Sequence, residues 1–234
     1  MDRKTKIIAT IGPATLDFKV FKRLIHEGVD FIRINSAYGD YKQYDQILEN
    51  FRKYASSHGV KVIYDIRDYS KLDYFLANKL DMIAVSFVNN AEQITAAKEK
   101  TNNAYTIAKI ETVEGVGNID SIIDVSDGVM IARGDLAEAE TIERVPVLQK
   151  EFSKKVVAKG KFLVTATEML LSMVNNPKPT IAEISDVSNA VFDGSNAVML
   201  SEETAIGKYP VEAVSFMRRA IVEAENWLNQ GRLG

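Results

Sequence analysis

The chain has 234 residues, 46% of them hydrophobic, which is ample for one buried core and tight for two. A net charge of −3 offers no basic field for nucleic acid, and no apolar run reaches the roughly 18 residues that a membrane span needs. There is no cysteine, so disulfides and thiolate chemistry are excluded and a reducing, cytoplasmic setting is expected.

The opening Met1-Asp2-Arg3-Lys4-Thr5-Lys6 leads into a short apolar segment that stops at Gly12-Pro13, which reads as a strand and not as a signal peptide. From there one unit repeats: strand near 6–12, helix 17–27, strand 31–36, helix 40–57, strand 60–66, helix 71–80, strand 82–88, helix 90–101. Tyr105 to Ile110 is a buried strand closing on Lys109 and Glu111, and Gly128 to Ala132 is the next, closing on Arg133 and Asp135. Between them Val116, Ile119, Ile122 and Ile123 fall at helical spacing, so the two strands are parallel neighbours joined by a right-handed crossover. A long helical stretch at about 143–159, strand 161–166, helix 180–192, strand 196–201 and helix 210–228 complete the series. The strands are β-branched and apolar on both faces, as in a parallel sheet covered on both sides. Eight such alternations predict an α/β fold, a single (β/α)8 TIM barrel over residues 1–234. The alternative, an open doubly wound sheet, more often carries a glycine-rich dinucleotide loop, and no G-x-G-x-x-G follows any strand.

A barrel of this kind places its chemistry at the C-terminal ends of its strands. Those ends carry Arg33 and Asn35, Asp65, Ser86, Lys109 with Glu111, Arg133 with Asp135, Thr165 with Thr167, and Ser201 with Glu203. Glu111 and Asp135 offer two carboxylates from adjacent strands, which suits magnesium or manganese completed by water or substrate oxygens. Lys109 shares the strand face of Glu111 and is suited to negative charge on a phosphoryl group or an enolate. The plain alternative is a structural Lys109–Glu111 ion pair. Around Gly134, free backbone N–H groups at the start of a helical turn suit a carboxylate. Arg33 is a planar fork for phosphate or carboxylate. His26 and His58, the only histidines, lie in helix-to-strand turns away from the strand ends.

These residues stand in a familiar order. Lys6-Ile7-Ile8-Ala9-Thr10-Ile11-Gly12-Pro13-Ala14, Arg33-Ile34-Asn35, Ser86-Phe87-Val88, Lys109-Ile110-Glu111, Ala132-Arg133-Gly134-Asp135-Leu136, Ala166-Thr167-Glu168-Met169-Leu170 and Val198-Met199-Leu200-Ser201 follow one another along the chain. The chain thereby resembles the barrel domain of pyruvate kinase. The resemblance implies a glycolytic transferase that moves a phosphoryl group between phosphoenolpyruvate and ADP, with pyruvate formed by protonating an enolate. It implies Lys109, Thr167 and Arg33 as catalytic residues, with Thr167 beside the substrate methylene. The backbone of Ala132, Arg133, Gly134 and Asp135 resembles the substrate cradle, Ser201 and Glu203 the proton-relay region, Glu111 and Asp135 the ligands of Mg2+ or Mn2+, and Asn35 and Asp65 two ligands of a K+ site.

The chain departs from the family in several places. Where the family continues through Thr-Lys-Gly-Pro-Glu-Ile-Arg into an inserted lid, this chain reads Asp65-Ile66-Arg67-Asp68-Tyr69-Ser70 and enters the next helix. The phosphate-contacting arginine at the lid hinge is lost with it, and Arg67 is too early to be carried over as its replacement. Ala37 stands where the family's cation site has a serine, Glu202 where glycine is usual, and Ile181 where an interface arginine helps build the tetramer, so homo-oligomer assembly and potassium use are both expected to differ. The chain ends at Gly234, just after the eighth helix, before the family's regulatory domain. The readings to test are a minimal pyruvate kinase, a metal-dependent lyase or enolate enzyme on pyruvate or oxaloacetate, and a non-catalytic metabolite- or partner-binding barrel.

Overall fold

The computed structural model describes residues 3–231. Residues 1, 2 and 232–234, which the expected single domain and the reading of the opening segment include, lie outside the described residues. Eight strands alternate with helices: β1 Lys6–Thr10, α1 Phe18–Glu27, β2 Phe31–Asn35, α2 Tyr41–Lys53, β3 Lys61–Ile66, α3 Leu72–Ala77, β4 Met82–Val85, α4 Ala91–Lys100, β5 Tyr105–Ile110, α5 Val113–Gly117, α6 Ile119–Val125, β6 Gly128–Ala132, α7 Arg133–Ala139, α8 Val145–Ala158, β7 Phe162–Ala166, α9 Ile181–Phe192, β8 Ala197–Leu200, α10 Glu202–Ala205 and α11 Pro210–Asn229. The strands pair in sequence order and close as a barrel, β8 returning to β1 in parallel. This is the expected (β/α)8 topology.

Strands β5 and β6 have the predicted bounds, while several helices are shorter than their apolar periodicity implies. Helix 40–57 stops at Lys53, where Tyr54 leaves the helical region and a 3-10 turn follows over Ala55–His58. The crossover from Val113 to Ser126 breaks at Asn118, which ends one short helix and begins the next.

Contacts gather the described residues into two compact units. One holds the segments up to Ile34, Gly39–Lys61 and from Thr167 onward, and the other Asn35–Tyr38 and Val62–Ala166. In the first, Ile7 and Ile8 of β1 and Phe21, Leu24, Ile47, Val214 and Met217 of the helices are buried. The amphipathic spacing of Phe21, Leu24 and Ile25 turns one face of α1 inward, and Asp17 caps its N-terminus by accepting from the N–H groups of Lys19 and Val20. Gly12 in this unit has no room for a side chain: a Cβ there would meet the Ala205 carbonyl oxygen at 2.7 Å. In the second unit, Ile63, Ile83, Ile107, Val129 and Leu163 form the strand core, covered by Phe75, Ile94, Ile122 and Phe152.

The strand starts are tied by carboxylates. Asp30, just before β2, accepts from the Ile7 N–H of β1 at 2.8 Å. Asp127, just before β6, accepts from the Thr106 N–H of β5 at 2.8 Å and receives Lys98 Nζ at 2.9 Å. Replacing Asp127 by alanine strands a buried donor, which costs about 1–3 kcal/mol. Urea unfolding of Asp127→Ala is expected to show that loss. A variant as stable as the parent would mean that water satisfies Thr106.

Candidate active site

The strand ends of the second unit converge on one buried ammonium. Lys109 and Glu111 project from the same side of β5 because they are two residues apart. Lys109 Nζ lies 3.0 Å from Glu111 Oε1 and 3.1 Å from Asp65 Oδ2, and donates to Ser86 Oγ at 2.8 Å. Ser86 in turn donates to Asp65 Oδ1 at 2.9 Å. The register of β3, β4 and β5 aligns Asp65 with Ala84 and Ala84 with Ile107, which brings side chains far apart in sequence to neighbouring strand ends. The ion pair set against a functional role for Lys109 is therefore present, and it has a third member, Asp65.

Glu111 is fully buried, and its two oxygens differ. Oε2 accepts from the Phe87 backbone N–H at 2.7 Å, whereas Oε1 has the Lys109 ammonium close by but no hydrogen bond of good geometry. Burial pushes its carboxyl above the usual carboxylate range; Lys109 opposes the shift and Asp65 adds to it. Asp135 sits in the first turn of α7 and, among the described residues, takes no hydrogen-bond or ion-pair partner. Glu111, with one oxygen that lacks a hydrogen-bond donor, and Asp135, whose carboxylate takes no partner among the described residues, fit a divalent cation that also takes water or substrate oxygens. Among the described residues no group of three His, Cys, Asp or Glu side chains gathers, so such an ion would rely on those additional oxygens.

The monovalent-cation residues fit their ion less well. Asp65 already meets the Lys109 ammonium and Ser86, Asn35 Oδ1 accepts from the Ala37 N–H at 3.1 Å, and Ala37 has no side-chain oxygen to give. A potassium ion would have to compete with Lys109 for Asp65.

Arg133, which closes β6 in the sequence with Asp135, is the first residue of α7, and its buried guanidinium donates to Gln149 of α8 at 3.3 Å. Its backbone, with those of Ala132 and Gly134, remains at the end of β6.

In the first unit, Arg33 of β2 is buried and donates to Thr10 Oγ1 on β1 at 3.0 Å. Thr167 follows β7 directly, and both it and Glu168 adopt left-handed backbone, φ +66° and +53°. Two consecutive non-glycine residues there carry strain that surrounding structure must maintain. Glu203 supplies part of that structure: fully buried, it accepts from the Leu170 N–H at 2.9 Å and the Ser201 N–H at 2.7 Å. Burial raises its carboxyl above the ordinary range, and these N–H donors oppose the shift. Ser201 Oγ is buried and has no hydrogen-bond partner among the described residues. His26 and His58 both border Tyr54, whose hydroxyl is 2.7 Å from His26 Nε2, and they take no part in either cluster.

Together the topology and these clusters define a (β/α)8-barrel protein whose strand ends carry a buried lysine shared by two carboxylates. The family model described as "Pyruvate kinase, barrel domain" matches residues 2–68 and 64–214, and the chain belongs to that family. It is 48% identical over 168 residues to a pyruvate kinase of Clostridium acetobutylicum, covering 70% of this chain and 36% of that protein. Over 168 residues it is 47% identical to a pyruvate kinase of Leishmania mexicana, covering 70% and 34%, and over 165 residues it is 42% identical to one of Thermococcus litoralis, covering 69% and 35%. The chain thus spans about a third of the length of these relatives.

Neither the Asp65 contact nor the Glu203 anchor follows from strand periodicity. Replacing Glu203 by alanine leaves two main-chain donors without an acceptor, at about 1–3 kcal/mol each where water cannot reach them. Chemical denaturation is expected to show a clear loss for Glu203→Ala and a smaller one for Glu203→Gln, which keeps one acceptor oxygen. Equal stability of parent and both variants would refute the anchoring role.

Proposed function

We propose that this chain is the barrel of a pyruvate kinase-type phosphotransferase that binds phosphoenolpyruvate or pyruvate beside Mg2+ or Mn2+ and transfers phosphate to ADP. The observation that carries the reading is the buried Lys109 ammonium between Asp65 and Glu111, at the strand ends of a chain whose family is the pyruvate kinase barrel. All of residues 1–234 are read as one domain, working in the cytoplasm, with no nucleic-acid or membrane partner and with room for a homo-oligomer. Ile181, exposed at the start of α9, replaces the arginine of the family's interface, so assembly is expected to follow another pattern.

In this reading a phosphoryl group leaves the enol oxygen of phosphoenolpyruvate for the terminal phosphate of ADP, and the remaining enolate takes a proton at its methylene carbon. Glu111 and Asp135 hold the divalent cation, which supplies positive charge beside the substrate's oxygens when bound. Lys109 offsets charge on the transferring phosphoryl and the enolate oxygen, and Arg33 contacts phosphate. The Thr167 hydroxyl serves the proton at the methylene carbon, with Ser201 and Glu203 beyond it. Backbone N–H groups around Ala132, Gly134 and Asp135 receive the carboxylate. Calorimetric titration with manganese tests the metal assignment: Glu111→Gln and Asp135→Asn should each weaken binding sharply, and unchanged affinity in both removes it.

One observation favours a second reading, enolate chemistry on a 2-oxo acid such as pyruvate or oxaloacetate. After β3 the chain has only Arg67 and Asp68 before a 3-10 turn over Tyr69–Lys71 and α3, with no lid between. A closing lid excludes water from a transferring phosphoryl group. Phosphoryl transfer therefore suffers more than proton exchange. With magnesium in deuterated water, NMR should show exchange of pyruvate methyl protons, slowed by Thr167→Val, while Lys109→Met abolishes any ATP formation. ATP made at ordinary kinase rates without exchange above the buffer control would reverse this order of activities.

A further inference from the structure

We infer that Arg67 is a further phosphate-contacting cation of this site, held in place by stacking on Phe87; the inference rests on the proposed phosphoenolpyruvate reading and adds a residue to it. Arg67 is the first residue past β3 and Phe87 the second past β4. The two strands run in register to their last residues, Ile66 opposite Val85, and the Ser86 N–H then donates to the Ile66 carbonyl at 2.8 Å. Arg67 and Phe87 thus leave the sheet at neighbouring points of the end that bears Lys109 and Glu111.

Phe87 is held in an uncommon backbone state, φ +55°, which a bulky side chain adopts only when its surroundings impose it. That state serves two contacts. The Phe87 N–H donates to Glu111 Oε2 at 2.7 Å, and the Phe87 ring lies under the Arg67 guanidinium, 4.4 Å from ring centroid to guanidinium carbon. One residue therefore joins the buried carboxylate to an exposed arginine. A stacked guanidinium keeps its edge N–H groups free for a planar anion.

The two cations here differ in what already surrounds them. Lys109 is buried and matched by two carboxylates, Asp65 and Glu111, so it brings no surplus positive charge. Arg67 is exposed and, among the described residues, makes no hydrogen bond or ion pair. A ligand that carries only carboxylates can be met by backbone N–H groups and a divalent ion. A phosphate ester brings further negative charge and oxygens spaced for a guanidinium fork, which Arg67 can engage through two parallel hydrogen bonds. Sequence order places Arg67 too early to align with the family's lid-hinge arginine; its stacking on Phe87 and its unmatched charge assign the role.

The test compares two ligands that differ in the phosphate. Calorimetry with manganese present measures phosphoenolpyruvate and oxalate binding to the full chain and to Arg67→Gln and Arg67→Lys. The expected result is a loss of about tenfold or more for phosphoenolpyruvate in Arg67→Gln, partial recovery in Arg67→Lys, and oxalate binding within about twofold of the parent throughout. Phosphoenolpyruvate affinity within about twofold of the parent, or equal losses for both ligands, would overturn the assignment. If the parent binds neither ligand, the reading of the site as a phosphoenolpyruvate site fails, and inorganic phosphate then judges Arg67 alone. A saturable response to phosphate that Arg67→Gln abolishes keeps the assignment; none, or one that survives, ends it.

Discussion

An ammonium with 7% of its side chain exposed sets the terms for the strand ends around it. A buried charge is tolerated only where partners replace the water it has lost, and Lys109 finds Asp65, Glu111 and Ser86 on three successive strands. Removing one partner of such a group is far more damaging than the net worth of the pair, about 3–5 kcal/mol in measured cases. Those strands are therefore coupled at their ends as well as through their ladders. The cluster also has two acids for one base, and so carries an excess of negative charge.

The acids of the chain divide by how their oxygens are satisfied. Asp30, Asp127, Glu183 and Glu203 all accept main-chain N–H groups and so complete the backbone hydrogen bonding of turns and strand starts. Glu183, for instance, closes a capping box with Thr180 and reaches Ser172 as well, and those bonds hold its carboxyl below the ordinary range in spite of burial. Glu111 belongs only half to that group, since one of its oxygens takes a main-chain donor and the other faces an ammonium. Glu203 looks like Glu111 in burial and in strand-end position, yet both its oxygens are committed to the backbone.

Topology was legible in the sequence because alternation of apolar runs with helical spacing is a local property, and the bounds of β5 and β6 were read correctly. Lys109 and Glu111 were legible as a pair because strand geometry puts residues two apart on one side. Asp65 and Ser86 were named as strand-end groups, but their contacts with Lys109 depend on register across three strands, which no single segment encodes. A helical turn around Gly134 is legible from the glycine, but the contact of the Arg133 side chain with Gln149 depends on how α7 meets α8, which no single segment encodes. The left-handed backbone of Thr167 and Glu168 was equally hidden, since neither is glycine or asparagine and the conformation is maintained by tertiary contacts.

The passage from β3 to α3 closes on itself. Asp68 accepts from the Ser70 N–H at 2.9 Å and from its hydroxyl at 2.7 Å, and the Tyr69 hydroxyl donates to the Gln93 carbonyl at 2.8 Å. The Lys71 N–H also donates to the Asp68 carbonyl at 3.0 Å, so the two ends of the turn meet. A segment spliced into such a junction would find entry and exit side by side, at the cost of the Asp68–Ser70 bonds and with the strand ladder of β3 and β4 left as it is.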